Sequence, residues 1–402
     1  MRKDVTARAC ENFATPFYLL DLEEFREQIR NLQAVLGEQI RLCYAVKANP
    51  FLIRTAAGEG LKLEVCSPGE LAICERLGIS MEQVVLSGVY KEESGILELI
   101  RKKNGKGVYT VESRAQFEML VRGARKIFKT GQDGKLRLML RLTSGNQFGL
   151  DEEELFRIIR EHQQNPLLHI EGIQYYSGTQ KKQKVMEEEL EYLDGFLGRL
   201  EKEYGYRPRM LEYGPGLSVS YFQKDPRIQP GEQGRILKEA LDRMEYSGEI
   251  TLELGRYLAA SCGYYITRLV DEKVNRQTAY GIVDGGIHHL NYYGQTMAMK
   301  LPFYRQLDGK TCQERRQGRL KEVTVCGALC TVSDVLAKRM PLYTPCTGDL
   351  LVFENAGAYS ITEGIYLFLS RALPGVVFWS EKEGLRLARD IVETSLLNGE
   401  TH

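Results

Sequence analysis

Between Arg41 and Arg256 the chain repeats one pattern: a short β-rich run, then a stretch with helical periodicity. The runs are 41–46 (RLCYAV), 62–66 (KLEVC), 83–88 (QVVLSG), 107–111 (GVYTV), 135–142 (KLRLMLRL), 167–176 (LLHIEGIQYY), 210–214 (MLEYG) and 250–254 (ITLEL), eight in all. Between the sixth and seventh lies 181–205, where Met186, Leu190, Leu193, Leu197, Leu200 and Tyr204 recur at three- or four-residue steps and mark one buried helix face. Eight βα units imply a parallel TIM-type (β/α)8 barrel, which takes about 250 residues. The expected fold class is therefore α/β, with the barrel over residues 15–256.

The remaining residues read differently. From Tyr257 onward the runs 263–270 (GYYITRLV), 279–284 (AYGIVD), 321–326 (KEVTVC) and 349–354 (DLLVFE) are separated by Gly and Pro turns. They predict an all-β domain over 257–402, joined by residues 1–14. The last amphipathic stretch, 382–397, is expected to be a surface helix. No internal repeat appears beyond the βα rhythm.

Charge narrows the function. The 54 basic and 54 acidic side chains cancel, so no excess draws the chain to nucleic acid or a membrane, and small-molecule chemistry is the default. No apolar run approaches the ~20 residues of a membrane span, and the N-terminus, MRKDV, lacks a signal-peptide stretch, so a cytoplasmic protein is expected. The nine cysteines are scattered, and Cys326 and Cys330 stand four apart, which is neither a disulfide framework nor a Cys-x-x-Cys motif. Most should be buried thiols. His288 and His289 adjoin in VDGGIHHLNYYG; on a strand they would face opposite sides, so no metal site is expected there and His288 has a substrate or structural role.

Catalytic groups of such a barrel sit where its strands end. Lys47 directly follows the first run, before the turn of YAVKANP, where its amine could form an imine with a carbonyl. The eighth run ends in Glu253-Leu254-Gly255-Arg256, a carboxylate and a guanidinium suited to a molecule with a basic nitrogen at one end and a phosphate at the other. The seventh ends in Gly214-Pro215-Gly216, where backbone amides can approach a phosphate; Pro215 has no N–H, so the donors are Gly216 and its successors. The sixth ends in Tyr176, Gly178, Thr179 and Gln180, an aromatic face followed by small hydrogen-bonding groups. Glu64 either reaches the interior of the barrel or is a plain rim carboxylate.

These residues carry a resemblance that spans nearly the whole chain. YAVKANP, EVCSPGEL, QFG at 147–149, ELGR, GALCTVSD and ENAGAY resemble, in order, six motifs of the fold-type III pyridoxal-phosphate decarboxylases, the group of diaminopimelate and ornithine decarboxylase. The resemblance implies an alanine-racemase-like barrel and β-domain, with pyridoxal 5'-phosphate as cofactor and Lys47 as its Schiff-base lysine. It implies Glu253 on the ring nitrogen, Tyr176 on the ring face, and Thr179, Gly214, Gly216, Gly255, Arg256 and Tyr359 around the phosphate. It also implies Cys330 as a proton donor from the partner subunit of a homodimer with shared active sites. A thiol, with a pKa of about 8.5 in model peptides, can give up a proton near neutrality.

Departures from the family pattern bear on the substrate. Tyr176 stands where a histidine is usual, Gln174 replaces another frequent histidine, and Leu254 replaces a proline. Thr331 follows the cysteine where the diamine-type enzymes carry an acid for the distal ammonium, and Asp334, four residues after the cysteine, is the other candidate for that charge. YSGTQ, VDGGIHH and LCT are similar to a natural-product branch that includes a decarboxylase of a glutamyl group on an acyl-carrier protein. The expected reaction is α-decarboxylation of an L-amino acid, free or conjugated to a carrier. The alternatives are a decarboxylase of free diaminopimelate or basic amino acids, a racemase, and a non-enzymatic cofactor-binding protein. Glu253 opposes the racemase, and the second domain with Cys330 opposes the last.

Overall fold

The computed structural model describes residues 3–129, 134–229 and 231–400. Eight parallel strands close into a barrel in sequence order: β2 (Ile40–Ala45), β3 (Lys62–Val65), β4 (Val84–Leu86), β5 (Val108–Val111), β6 (Leu136–Leu142), β7 (Leu168–Tyr176), β8 (Met210–Gly214) and β9 (Glu249–Leu254). They coincide with the eight runs read from the sequence. The helices between them start where side chains satisfy free backbone amides: Ser67 accepts from the amide of Glu70, Ser113 from that of Gln116 and Asp151 from that of Glu154. The predicted helix over 181–205 forms as Gln183–Tyr204, with Gly205 closing it in the left-handed conformation.

Inside the barrel the side chains change character within one pleat. Cys43, Val85, Val108, Met139 and Met210 form an apolar plug. Two residues further along their strands, Ser87, Thr110, Arg141 and Glu212 share that inward orientation, since successive side chains alternate between faces. The plug excludes water beneath a ring of polar and ionisable groups.

The second unit is built on a nine-stranded mixed sheet, ordered β14-β13-β11-β10-β1-β16-β17, with β15 pairing both β10 and β12. Its strands are β1 (Phe17–Asp21), β10 (Gly263–Asn275), β11 (Thr278–Val283), β12 (Tyr304–Leu307), β13 (Leu320–Cys326), β14 (Val335–Tyr343), β15 (Leu350–Phe353), β16 (Gly375–Ser380) and β17 (Gly384–Arg389). Val5, Ala9, Phe17, Leu19, Tyr264, Ile266, Val352, Val377 and Trp379 pack into its core. No helix among the described residues is long and apolar enough to cross a membrane.

Three expectations change. Residues 15–28, expected to open the barrel domain, belong with this sheet, because β1 pairs antiparallel with β10 and parallel with β16. The segment Val219–Ile228 also belongs here, through a bridge from Phe222 to Pro302. The stretch 382–397 is no helix: β17 pairs antiparallel with β16, and 395–397 is a single 3-10 turn. Pairing to the open edge of β16, with Leu385 packed on the core, outweighs the helical periodicity. Strand β14 escaped the sequence reading because Pro341 lies within it; as the end strand of the sheet it can carry a proline.

Gly172 tests the β7–β8 contact. A Cβ there would stand 1.8 Å from the Met210 carbonyl oxygen, so the strands can pair only with glycine at that point. Gly172→Ala should cost roughly 3 kcal/mol or more in urea unfolding. Gly195→Ala, in the helix Gln183–Tyr204 with no atom within 4 Å of the added carbon, should be neutral or stabilise by up to about 1 kcal/mol.

Candidate active site

The turn after β2 places the lysine. Asn49, in extended conformation, accepts from the Phe51 amide and is followed by Pro50, which starts a new 3-10 turn, while the Tyr44 hydroxyl donates to the Asn49 carbonyl at 3.0 Å. Lys47 therefore sits in the preceding turn, Val46–Ala48, at the carboxyl end of the strand. Its Nζ lies 2.7 Å from Glu64 Oε2, 3.1 Å from Glu253 Oε1 and 5.6 Å from the centre of the Tyr176 ring. Glu64 thus reaches the interior of the barrel.

Both carboxyls are buried and respond oppositely. Burial pushes Glu64 up, but the Lys47 ammonium and hydrogen bonding more than offset it and hold Glu64 low. Burial raises Glu253, the negative charge of Glu64 raises it further, and Lys47 opposes only part of this; Glu253 holds its proton well above the usual carboxylate range. A third carboxyl, Glu212, accepts from Gln174 Nε2 at 2.8 Å. Arg141 pairs with Glu112 at 3.1 Å.

The neighbouring loops are held close by their glycines. A Cβ on Gly214 would stand 2.3 Å from the Tyr176 ring, so that ring lies directly against the loop after β8. Gly216 has φ +62°, and a Cβ on it would meet the Gly178 carbonyl oxygen at 2.5 Å. Gly255 packs its backbone on Ala48 and Ala45, beside the Lys47 turn. Arg256, 8 % exposed, donates from Nε to Thr179 Oγ1 at 3.2 Å. Lys47, Glu64, Tyr176, Thr179, Gly214, Gly216, Glu253, Gly255 and Arg256 therefore all lie at one end of the barrel.

A brace that the sequence reading missed stands under this loop. Lys181 Nζ donates to the Gly214 carbonyl at 2.9 Å and pairs with Glu189 at 2.7 Å, and Glu189 also accepts from Tyr213 and Ser177. Residue type alone does not reveal this pair, which depends on how the helix packs. Glu212 did leave a signal: a glutamate inside an apolar strand, in MLEYG, as in KLEV and ITLEL.

The other expected residues belong to the sheet unit. Cys330 is exposed in the loop between β13 and β14, and Thr331 Oγ1 lies 3.0 Å from Ser333 Oγ. Asp334, expected as an alternative substrate charge, is 2 % exposed and accepts from the backbone amides of Ile287 and Leu329 at 2.8 and 2.7 Å. It clamps two loops instead. His288 and His289 lie in a turn rather than a strand, so their rings face each other at 3.7 Å rather than pointing apart. His289 is bonded through both nitrogens, to Tyr265 and to the Ala372 carbonyl. His288 is buried, which pushes its pKa down to about 4, with Arg371 adding to the effect. Tyr359 holds a left-handed φ of 66° and its carbonyl accepts from the amides of Thr362 and Glu363.

Pyridoxal phosphate fits the barrel residues. A lysine with two carboxyl partners, a buried acid that retains its proton, a ring face, and an arginine beside loops that no side chain could enter are the parts such a molecule needs.

A family model described as "Pyridoxal-dependent decarboxylase, pyridoxal binding domain" matches residues 22–260. The L-glutamyl-[BtrI acyl-carrier protein] decarboxylase of Niallia circulans is 28% identical over 382 residues, covering 90% of this chain and 88% of the relative. The diaminopimelate decarboxylase of Deinococcus radiodurans is 26% identical over 394 residues, covering 95% and 94%. The crystal structure of diaminopimelate decarboxylase from Methanocaldococcus jannaschii superimposes with a TM-score of 0.82 at 22% identity, covering 98% of this chain and 94% of that one, and shares the fold.

Removing the cation should expose the electrostatics of the site. In Lys47→Met the Glu64 pKa rises above its unfolded value of 4.5, so the variant loses stability relative to the parent as pH rises through that value. Urea unfolding of the cofactor-free proteins should show a deficit of roughly 2 kcal/mol or more at pH 7, a buried-pair loss discounted for the partial exposure of Lys47, and a much smaller one at pH 2.5, where the parent has lost most of what the low pKa of Glu64 contributes. An equal deficit at both values would show that Glu64 does not depend on Lys47.

Proposed function

Since the chain belongs to the pyridoxal-dependent decarboxylases, we propose that it removes the α-carboxyl group of an L-amino acid presented as a conjugate, in particular one tethered to a carrier protein. It is a pyridoxal-phosphate enzyme, and the cofactor, when bound, supplies a protonated ring into which the electron pair left by carbon dioxide can spread. Lys47 would hold the cofactor covalently. Glu253, buried and holding its proton, would pair with the ring nitrogen and have a proton to share with it. Tyr176 offers its ring face. Arg256, Thr179 and the backbone amides from Gly216 onward would hold the phosphate, with Gly214 and Gly255 giving the loops the room to close in. As the bond between Cα and the carboxyl group breaks, the electron pair stays with the substrate, and the Cys330 thiol returns a proton to Cα to give the amine.

The observation that carries the substrate reading is the state of the loop after Cys330. Thr331 occupies the position where the diamine-type enzymes carry an acid, and Asp334 spends both carboxylate oxygens on backbone amides. A buried ammonium without a carboxylate partner costs several kcal/mol, so free diamino acids are disfavoured. The Thr331 and Ser333 hydroxyls suit a neutral amide or thioester. Similarity to the Niallia circulans enzyme, whose name gives a carrier-bound glutamyl substrate, supports the same reading.

The working unit is a homodimer in which Cys330 serves the partner's barrel. The exposed Val332 beside it, and the exposed Met297, Met299 and Ile365, supply apolar surface for such a contact. The free cysteines suit the reducing cytoplasm.

Carbon dioxide release across carrier-bound and free amino acids tests the substrate. Free lysine, ornithine and diaminopimelate should stay below a kcat/KM of about 10⁴ M⁻¹s⁻¹, with a carrier-bound aminoacyl group well above them; the reverse order would overturn the conjugate reading. Mixing the inactive Lys47→Ala and Cys330→Ala proteins should restore partial activity, because each mixed dimer carries one site with both residues. No recovery after verified subunit exchange would place Cys330 outside the shared site.

A further inference from the structure

One buried carboxyl has no task in the reaction so far. Glu212, on β8, is 1 % exposed, and its hydrogen-bond partner is the neutral Gln174 amide. Among the described residues no cation pairs with it: Lys47 is shared by Glu64 and Glu253, and Arg141 pairs with Glu112. The groups that bear on it are Glu64 from β3, Gln174 from β7, Lys47 from the turn after β2 and Arg141 from β6. Glu253 on β9 and Cys43 on β2 respond to its charge in turn. Gln174 Nε2 also reaches Ser87 Oγ at 3.5 Å, whereas the buried Gln174 Oε1 has no hydrogen-bond partner. A buried carboxylate without a cation is costly, and a proton on Glu212 relieves that cost.

We propose that Glu212 works as a neutral carboxylic acid and is the positioning residue for the proton on Glu253, which rests on the decarboxylase reading above. With Glu212 uncharged, moving that proton from Glu253 to a ring nitrogen creates one new carboxylate beside Glu64. With Glu212 ionised it would create a third negative charge in the same dry layer, and the proton would stay on Glu253. The neutral acid thus keeps the proton deliverable. Burial, joined by the negative charge of Glu64, pushes Glu212 up to about 7, against the smaller effects of the Gln174 hydrogen bond, Lys47 and Arg141. Glu253 in turn is raised in part by the charge of Glu212, so the two titrate as a linked pair.

Infrared titration of the cofactor-free protein reads this without turnover, so its outcome is independent of whether the substrate reading holds. The carbonyl stretch of protonated carboxyls should disappear in two linked steps as pH rises, with Glu253→Gln identifying the step that belongs to Glu253. In Glu212→Gln, which keeps size and hydrogen bonding, one step should vanish and the Glu253 step should move down by about one pH unit, because the neighbouring charge can no longer form. A second variant, Gln174→Leu, removes the donor to the charged form of Glu212 and should move the Glu212 step to higher pH. An unchanged spectrum and Glu253 midpoint in Glu212→Gln, or a Glu212 step indifferent to Gln174, would overturn the proposal.

Discussion

The structure depends on one ammonium held between two carboxyls in a closed, dry barrel. Lys47 lies within 3.1 Å of both Glu64 and Glu253, and the plug of Cys43, Val85, Val108, Met139 and Met210 keeps water from the layer beneath them. In bulk water such contacts would be worth little and the carboxyls would titrate alike. Buried, a single cation cannot stabilise two full negative charges, so the pair divides into one ionised and one proton-bearing acid. Two identical side chains thereby acquire different chemical roles.

That division requires the loops to stay close, and the glycines make the approach possible. Gly214 against the Tyr176 ring, Gly216 against the Gly178 carbonyl, and Gly255 against Ala45 and Ala48 leave no space that a β-carbon could occupy. The Lys181–Glu189 pair, carrying the Gly214 carbonyl, turns this closeness into a fixed geometry. Backbone amides and small side chains then form one end of the site, while Lys47, Glu64 and Glu253 form the other.

Much of this was legible because local patterns report on local structure. A strand buried on both faces reads as a short apolar run, so all eight barrel strands were visible, and Lys47, Glu253 and Arg256 followed from their places at strand ends. The misreadings have different causes, and one is that sheet pairing joins segments remote in sequence. β1 is separated by more than three hundred residues from its parallel partner β16, and no local signal assigns it to that sheet. The stretch 382–397 has a helical period yet becomes a strand at an open sheet edge. His288 and His289 face one another because their segment is a turn, which the rule for neighbouring strand residues could not anticipate.

The sequence by itself determined the βα rhythm, hence the barrel, and the ordered motifs, hence the cofactor chemistry. Both depend on residue type and on spacing of a few residues, where backbone geometry follows directly from the chain. Tertiary structure alone decided which carboxyl keeps a proton, that Asp334 is bound to loop amides, and that Lys181 braces the Gly214 loop. Those outcomes turn on burial and on distances between groups brought together from separate strands and loops. Electrostatic and hydrogen-bond energies depend on such distances and on the exclusion of water, and neither exists until the chain has folded.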